Sequence, residues 1–96
     1  MVQHVVLAKF TDQGLRAIKD TTKRAQAFRG LAKNLGVTVK EIYWTLGRYD
    51  VVVILAASSD EQIATLLMKA GSLGNLTTQS LRAFTESEMV SMTAQL

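Results

Sequence analysis

The run Val51-Val52-Val53-Ile54-Leu55-Ala56-Ala57 is apolar at every position. Its β-branched residues and its length fit a strand, on which successive side chains point to opposite faces. Val51, Val53, Leu55 and Ala57 line one face, with Tyr49 continuing the row; Val52, Ile54 and Ala56 line the other. A strand that is apolar on both sides has to be covered on both sides. Val2–Phe10 reads the same way: Val2, His4, Val6, Ala8 and Phe10 alternate with Gln3, Val5, Leu7 and Lys9. A chain of 96 residues has room for one core. Covering both faces of its central strands is therefore the main constraint on its fold.

Between these strands a helical stretch runs from Thr11 or Asp12 to about Leu35, and its apolar stripe slips near Thr21. Leu15 and Ile18 form one stripe, and Ala25, Phe28, Ala32 and Leu35 a second. A restart at Asp20-Thr21, both good N-cap residues, accounts for the slip. Gly36 is the expected stop. Strands are predicted at Val37–Leu46 and Tyr49–Ala57, joined by Gly47-Arg48 as a tight hairpin turn. Ser58 and Glu61 have capping-box spacing, which makes Asp60 and Glu61 structural carboxylates at the start of the next helix. That helix buries Ile63, Leu66, Leu67 and Ala70 and ends in Gly71–Asn75. Leu76–Thr85 is a more polar fourth strand. Thr85 and Glu88 cap a short terminal helix with Met89, Met92 and Leu96 on one side.

The order is βαββαβ plus a terminal helix, an α+β ferredoxin-like domain spanning residues 1–96. It places the two most apolar strands in the middle of a four-stranded antiparallel sheet, with two helices on one face. The other face would be a large exposed apolar patch. The economical cover is a second copy of the same sheet, so the expected state is a sheet-to-sheet homodimer, or a larger assembly containing it. The alternative is a monomer whose terminal helix lies across the open face.

Composition removes several chemistries. With no cysteine and one histidine, thiol nucleophiles, thiolate metal sites and multi-histidine sites are excluded. The eight acidic residues are scattered, and no metal site or cofactor is expected. No Ser-His-Asp or Cys-His set can be nominated from the order of residues. The net charge of +3 is mild. Arg16, Lys19, Lys23, Arg24, Arg29 and Lys33 read as a solvated helix face, and no nucleic-acid partner is expected. No apolar run is long enough for a membrane span. MVQHVVLAKF has no signal-peptide character, so a cytoplasmic location is expected.

The run Glu41-Ile42-Tyr43-Trp44-Thr45-Leu46-Gly47-Arg48-Tyr49-Asp50 resembles the small proteins of the GYD family. Lys9–Gly14, Gly71–Asn75 and Leu81–Thr85 are also similar to that family, so the resemblance covers nearly the whole chain. Thr22 stands where members often have proline. The resemblance implies the dimeric α+β barrel superfamily, in agreement with the sheet-to-sheet dimer. It implies no activity, because that superfamily includes cofactor-independent monooxygenases, isomerases, haem enzymes and ligand-sensing modules.

His4, Asp50 and Tyr49 are the catalytic candidates, and His4, Tyr43, Trp44, Arg48, Tyr49, Asp50 and Arg82 the ligand-binding candidates. Histidine is the side-chain type whose unperturbed value lies near neutrality, so His4 is a base or haem ligand if it faces a barrel interior. As a lone strand histidine it is otherwise a hydrogen-bonded core or interface residue. Tyr43 and Trp44 point to opposite faces, so only one can face the barrel interior. Asp50 shares a face with Val52, where it can orient a ligand or bond turn amides. Arg48 and Asp50 have the residue types of a surface ion pair. Arg82 can anchor an anion or pair with Glu41 or Asp50 across a dimer. Gly71–Asn75 follows a helix, so it is a stop and not a phosphate cradle. The methionines are packing residues. Three functions fit: a module binding a small hydrophobic molecule, a cofactor-independent monooxygenase- or isomerase-like enzyme on such a substrate, or a structural oligomerisation module.

Overall fold

A computed structural model describes residues 1–96. β1 (Val2–Phe10) leads through α1 (Asp12–Arg16) and a 3-10 turn (Ile18–Asp20) into α2 (Thr21–Asn34). β2 (Thr38–Trp44), β3 (Val51–Ala57), α3 (Asp60–Ser72), β4 (Leu76–Ala83) and α4 (Glu86–Thr93) follow. The sheet order is β2-β3-β1-β4, and every pairing is antiparallel. The two most apolar strands are central, as the hydropathy pattern requires.

Register assigns the faces. His4, Val6 and Ala8 lie opposite Leu55, Val53 and Val51 on β3 and opposite Arg82, Ser80 and Thr78 on β4. Val39, Ile42 and Trp44 join that row from β2. This face meets α2 and α3: Val6, Val53, Leu55, Ala32, Ile63 and Leu66 form the buried core. Gln3, Val5, Leu7, Val52, Ile54, Tyr43, Gln79 and Leu81 lie on the other face, which no helix covers. Burial along β3 alternates between buried and half-buried from Val51 to Leu55.

The terminal helix settles one alternative. α4 makes no substantial contact with any other element, and Met89, Val90 and Met92 are exposed. It projects from the body and does not cross the open face. Its predicted box is present, with Thr85 and Glu88 capping each other.

Several local expectations need correction. α2 does restart at Thr21, but Asp20 makes no side-chain cap, and Leu15 and Ile18 remain exposed. The chain turns at Ala17, so their short stripe never reaches the core. The box on α3 is Ser59 with Gln62, one residue beyond Ser58 and Glu61. Gly71 stays helical and Gly74, at φ 86°, ends that segment. The β2–β3 connection is longer than a two-residue turn. Thr45 N donates to Asp50 O at 2.8 Å, and Leu46–Tyr49 bridge them with Gly47 at φ 111°.

Two segments distant in sequence meet beside β1. Thr11 N donates to Asn75 O at 3.0 Å, Thr11 Oγ1 to Gly74 O at 2.6 Å and Gln13 Nε2 to Leu73 O at 3.0 Å. A Cβ on Gly14 would lie 2.2 Å from Asn75 O, so only glycine permits this approach. The Leu73–Asn75 loop presents carbonyl acceptors to α1, which is the reverse of an anion cradle.

Candidate functional site

The covered face carries a polar cluster near the start of β1 and an apolar cavity toward its end. At the first, His4 Nε2 donates to Asp60 Oδ1 at 2.8 Å. An ionised carboxylate only accepts, so Nε2 carries the ring proton. Nδ1 is hydrogen-bonded to Ser80 Oγ, 2.6 Å away. Arg82 Nε lies 3.5 Å from the same Asp60 oxygen, and its guanidinium stacks 4.5 Å over the Phe84 ring.

Ser80–His4–Asp60 has the connectivity of a nucleophile, base and orienting acid. Sequence reasoning missed it because the partners lie 76 and 56 positions from His4. Asp60 is thus not solely a capping residue. Histidine alternation with Val2 and Val6 was the available signal, but it could not name the partners. The chain of bonds ties β1, β4 and the start of α3 together. None of these three side chains borders the apolar cavity of the fold. Arg82 pairs with Asp60 of its own chain.

The second region surrounds that cavity, about 70 Å³ between the sheet and helices α2 and α3. Val6, Ala8 and Val53 supply buried wall; Phe10, Phe28, Ile42 and Leu67 add to it. Trp44 is the one nominated residue that lines it, and Trp44 Nε1 donates to Thr21 Oγ1 at 3.0 Å. Arg24, the only charged lining residue, donates to Ala17 O at 2.7 Å and Gly14 O at 3.3 Å. Sequence reasoning assigned Arg24 to a solvated face. Its half-buried position follows from the helix break, which turns it back over α1.

The hairpin candidates separate. Tyr43 lies on the open face opposite Val52, and Trp44 on the covered face. Tyr49 does not continue the Val51–Val53 row: the loop carries it over the open face, where its hydroxyl donates to Gln79 Oε1 at 3.0 Å. Asp50 Oδ2 accepts from Phe10 N at 2.9 Å, and Asp50 N donates to Ala8 O at 2.8 Å. Its carboxylate closes the end of the β1–β3 ladder and does not pair with Arg48, which is exposed beside Tyr49 and Lys9.

At the start of α4 the Glu88 carboxylate is part of the helix cap. The Thr85 backbone N–H bonded to its carboxylate, followed by the Thr85 hydroxyl, holds it below the ordinary glutamate range. No helix is long and apolar enough to cross a membrane.

A model of the GYD domain matches residues 4–93. A Thermus thermophilus protein named glutamine synthetase and cystathionine beta-lyase binding protein is 26% identical over 91 residues, covering 94% of this chain and 96% of its own length. A solved structure from Thermus thermophilus is similar at TM-score 0.57 and 24% identity, over 88% of this chain and 95% of that one. The solved structure of MtbAldR is similar at TM-score 0.69 and 14% identity, over 88% of this chain. This chain spans about half of that protein, 52%. These structural likenesses concern the fold.

Proposed function

The chain belongs to the GYD domain family, and on that footing we propose that it is a binding module that takes a small molecule in the cavity beside Trp44. The observation that carries this reading is the separation of the cavity from the three acid–base candidates. His4 is bonded to Ser80 and Asp60, Tyr49 to Gln79, and Asp50 to Phe10 N. None of the three lines the cavity. An acid–base enzyme needs such a group within hydrogen-bond reach of its substrate. An apolar cleft with a few polar groups at one side is the usual form of a ligand pocket.

In this reading the working unit is a homodimer joined through the open faces. Val5, Leu7, Val52 and Ile54 supply the apolar centre, and Tyr43 and Leu81 the flanks, exposed by 53% and 43% in one subunit. The name of the Thermus relative supports binding over catalysis. It also favours a second reading, in which the bound partner is another protein, such as a metabolic enzyme.

Native mass spectrometry of the protein as purified tests both parts. The expected spectrum shows an even number of subunits carrying a small bound mass that leaves on activation. A bare monomer at micromolar concentration would contradict the proposal, and a retained polypeptide would favour the second reading.

A further inference from the structure

We propose that the ligand of this cavity is a short aliphatic carboxylate, its tail against Val6, Ala8 and Val53 and its carboxylate at Arg24. The inference rests on the pocket reading above and adds the chemical class of the occupant.

Size comes first. A cavity of about 70 Å³ is roughly half of the ~150 Å³ that accepts benzene. A space of this size suits a branched or short alkyl group. The wall it meets is dry: Val6 is 1% exposed, Ala8 2% and Val53 7%. Thr21 and Arg24 are half-buried and Trp44 and Thr78 are exposed, so the polar lining groups lie toward solvent and the apolar ones at the floor. An occupant with an apolar end and a polar end matches this gradient.

Charge and hydrogen-bonding capacity fix the polar end. No aspartate or glutamate lines the cavity, and Arg24 is its only ion. A guanidinium has five N–H donors. The bonds to Ala17 O and Gly14 O engage Nη1 and Nη2 and leave Nε–H and one N–H on each terminal nitrogen. Those same bonds hold the fork in place, so little side-chain freedom is lost on binding. Thr21 Oγ1 accepts from Trp44 Nε1, which leaves its own O–H to donate. The polar side thus offers donors and positive charge. Its complement is a planar anionic acceptor, which arginine binds in bidentate fashion.

The test is titration of the ¹⁵N-labelled protein at constant ionic strength with isovalerate and, separately, with 3-methylbutan-1-ol, its neutral analogue. Isovalerate should shift the amides of Val6, Thr21 and Val53 saturably, with an affinity at least tenfold above that of the alcohol. Arg24→Met should reduce isovalerate to the level of the alcohol and leave the alcohol unchanged. Because Arg24 also anchors α1, Val53→Phe provides a second variant, filling the floor with Arg24 in place; it should abolish binding of both. Equal affinity for acid and alcohol, or an Arg24→Met variant that binds isovalerate normally, would overturn the carboxylate assignment and leave the pocket standing. If neither compound shifts these amides the carboxylate assignment falls, and if xenon does not enter either, the pocket reading falls as well.

Discussion

Leu55 and Ile54 are neighbours on β3 and nearly equal in hydrophobicity, yet they reach different surroundings. Leu55 is fully buried against Ile63 and Leu66, whereas Ile54 is half-buried on a face without helices. Val53 and Val52 repeat the contrast. One face is finished within the subunit and the other is not, although the sequence makes both apolar. The difference shows that strand alternation makes two apolar faces here while the helices bury only one of them.

Substitution on each face should therefore fail differently. Leu55→Ala should cost about 2–5 kcal/mol, read as a lower unfolding midpoint that persists at all protein concentrations. Ile54→Lys should leave the subunit folded, with a native-like far-UV spectrum, and shift sedimentation from dimer to monomer. If Ile54→Lys leaves the sedimenting mass unchanged, the open face is not the joint between subunits. If it unfolds the chain as Leu55→Ala does, the two faces are not distinct.

The covered face also differs from end to end, and His4 sharpens that contrast. His4→Ala removes the bonds to Ser80 and Asp60. At about 1 kcal/mol for each hydrogen bond, the expected loss is roughly 1–2 kcal/mol. Asp60→Asn keeps an acceptor for His4 Nε2–H and should cost less. Neither variant should weaken a ligand held beside Trp44 and Arg24. Loss of ligand binding or turnover in His4→Ala, with stability retained, would return His4 to a functional role and revive the enzyme reading.

The contrast between faces was legible in the residues, because strand alternation is a local property. β1 and β3 as central strands followed from it, and the stop at Gly36 and the Thr85–Glu88 cap followed from equally local helix-end signals. The closing segments were not. Ser58–Glu61 and Ser59–Gln62 both have box spacing, and the extended backbone of Ser59 decides between them. Tyr49 obeys alternation only if the strand continues through it, and the Thr45–Asp50 bond ends the strand first. The His4 cluster depends on register between β1 and β4 and on where α3 begins, neither of which a motif records. Arg24 was hidden for a similar reason: six basic residues in one helical region look alike until the break at Ala17 turns one inward.

The smallest effect concerns α4, the element least supported by the rest of the subunit. An eight-residue helix, Glu86–Thr93, is marginal in water without packing, so its cap matters. The Glu88 carboxylate accepts from Thr85 N at 2.8 Å and Thr85 Oγ1 accepts from Glu88 N at 3.2 Å. The Thr85 N–H holds Glu88 below the ordinary glutamate range, so the folded form binds its proton less readily than the unfolded one. The cap's contribution is therefore fully present above the unfolded value and is lost as pH falls through the lower folded value. Acidification below the ordinary glutamate range should fray α4 while the sheet persists. The Thr85 amide resonance should move with that lowered midpoint, and Glu88→Gln should remove the titration while keeping a neutral cap. A Thr85 amide that titrates at or above the ordinary glutamate value would mean the box is open in solution. If α4 also gains packing from a second subunit, Ile54→Lys should make it fray more readily at a given acid pH, coupling this smallest effect to the joint between the open faces.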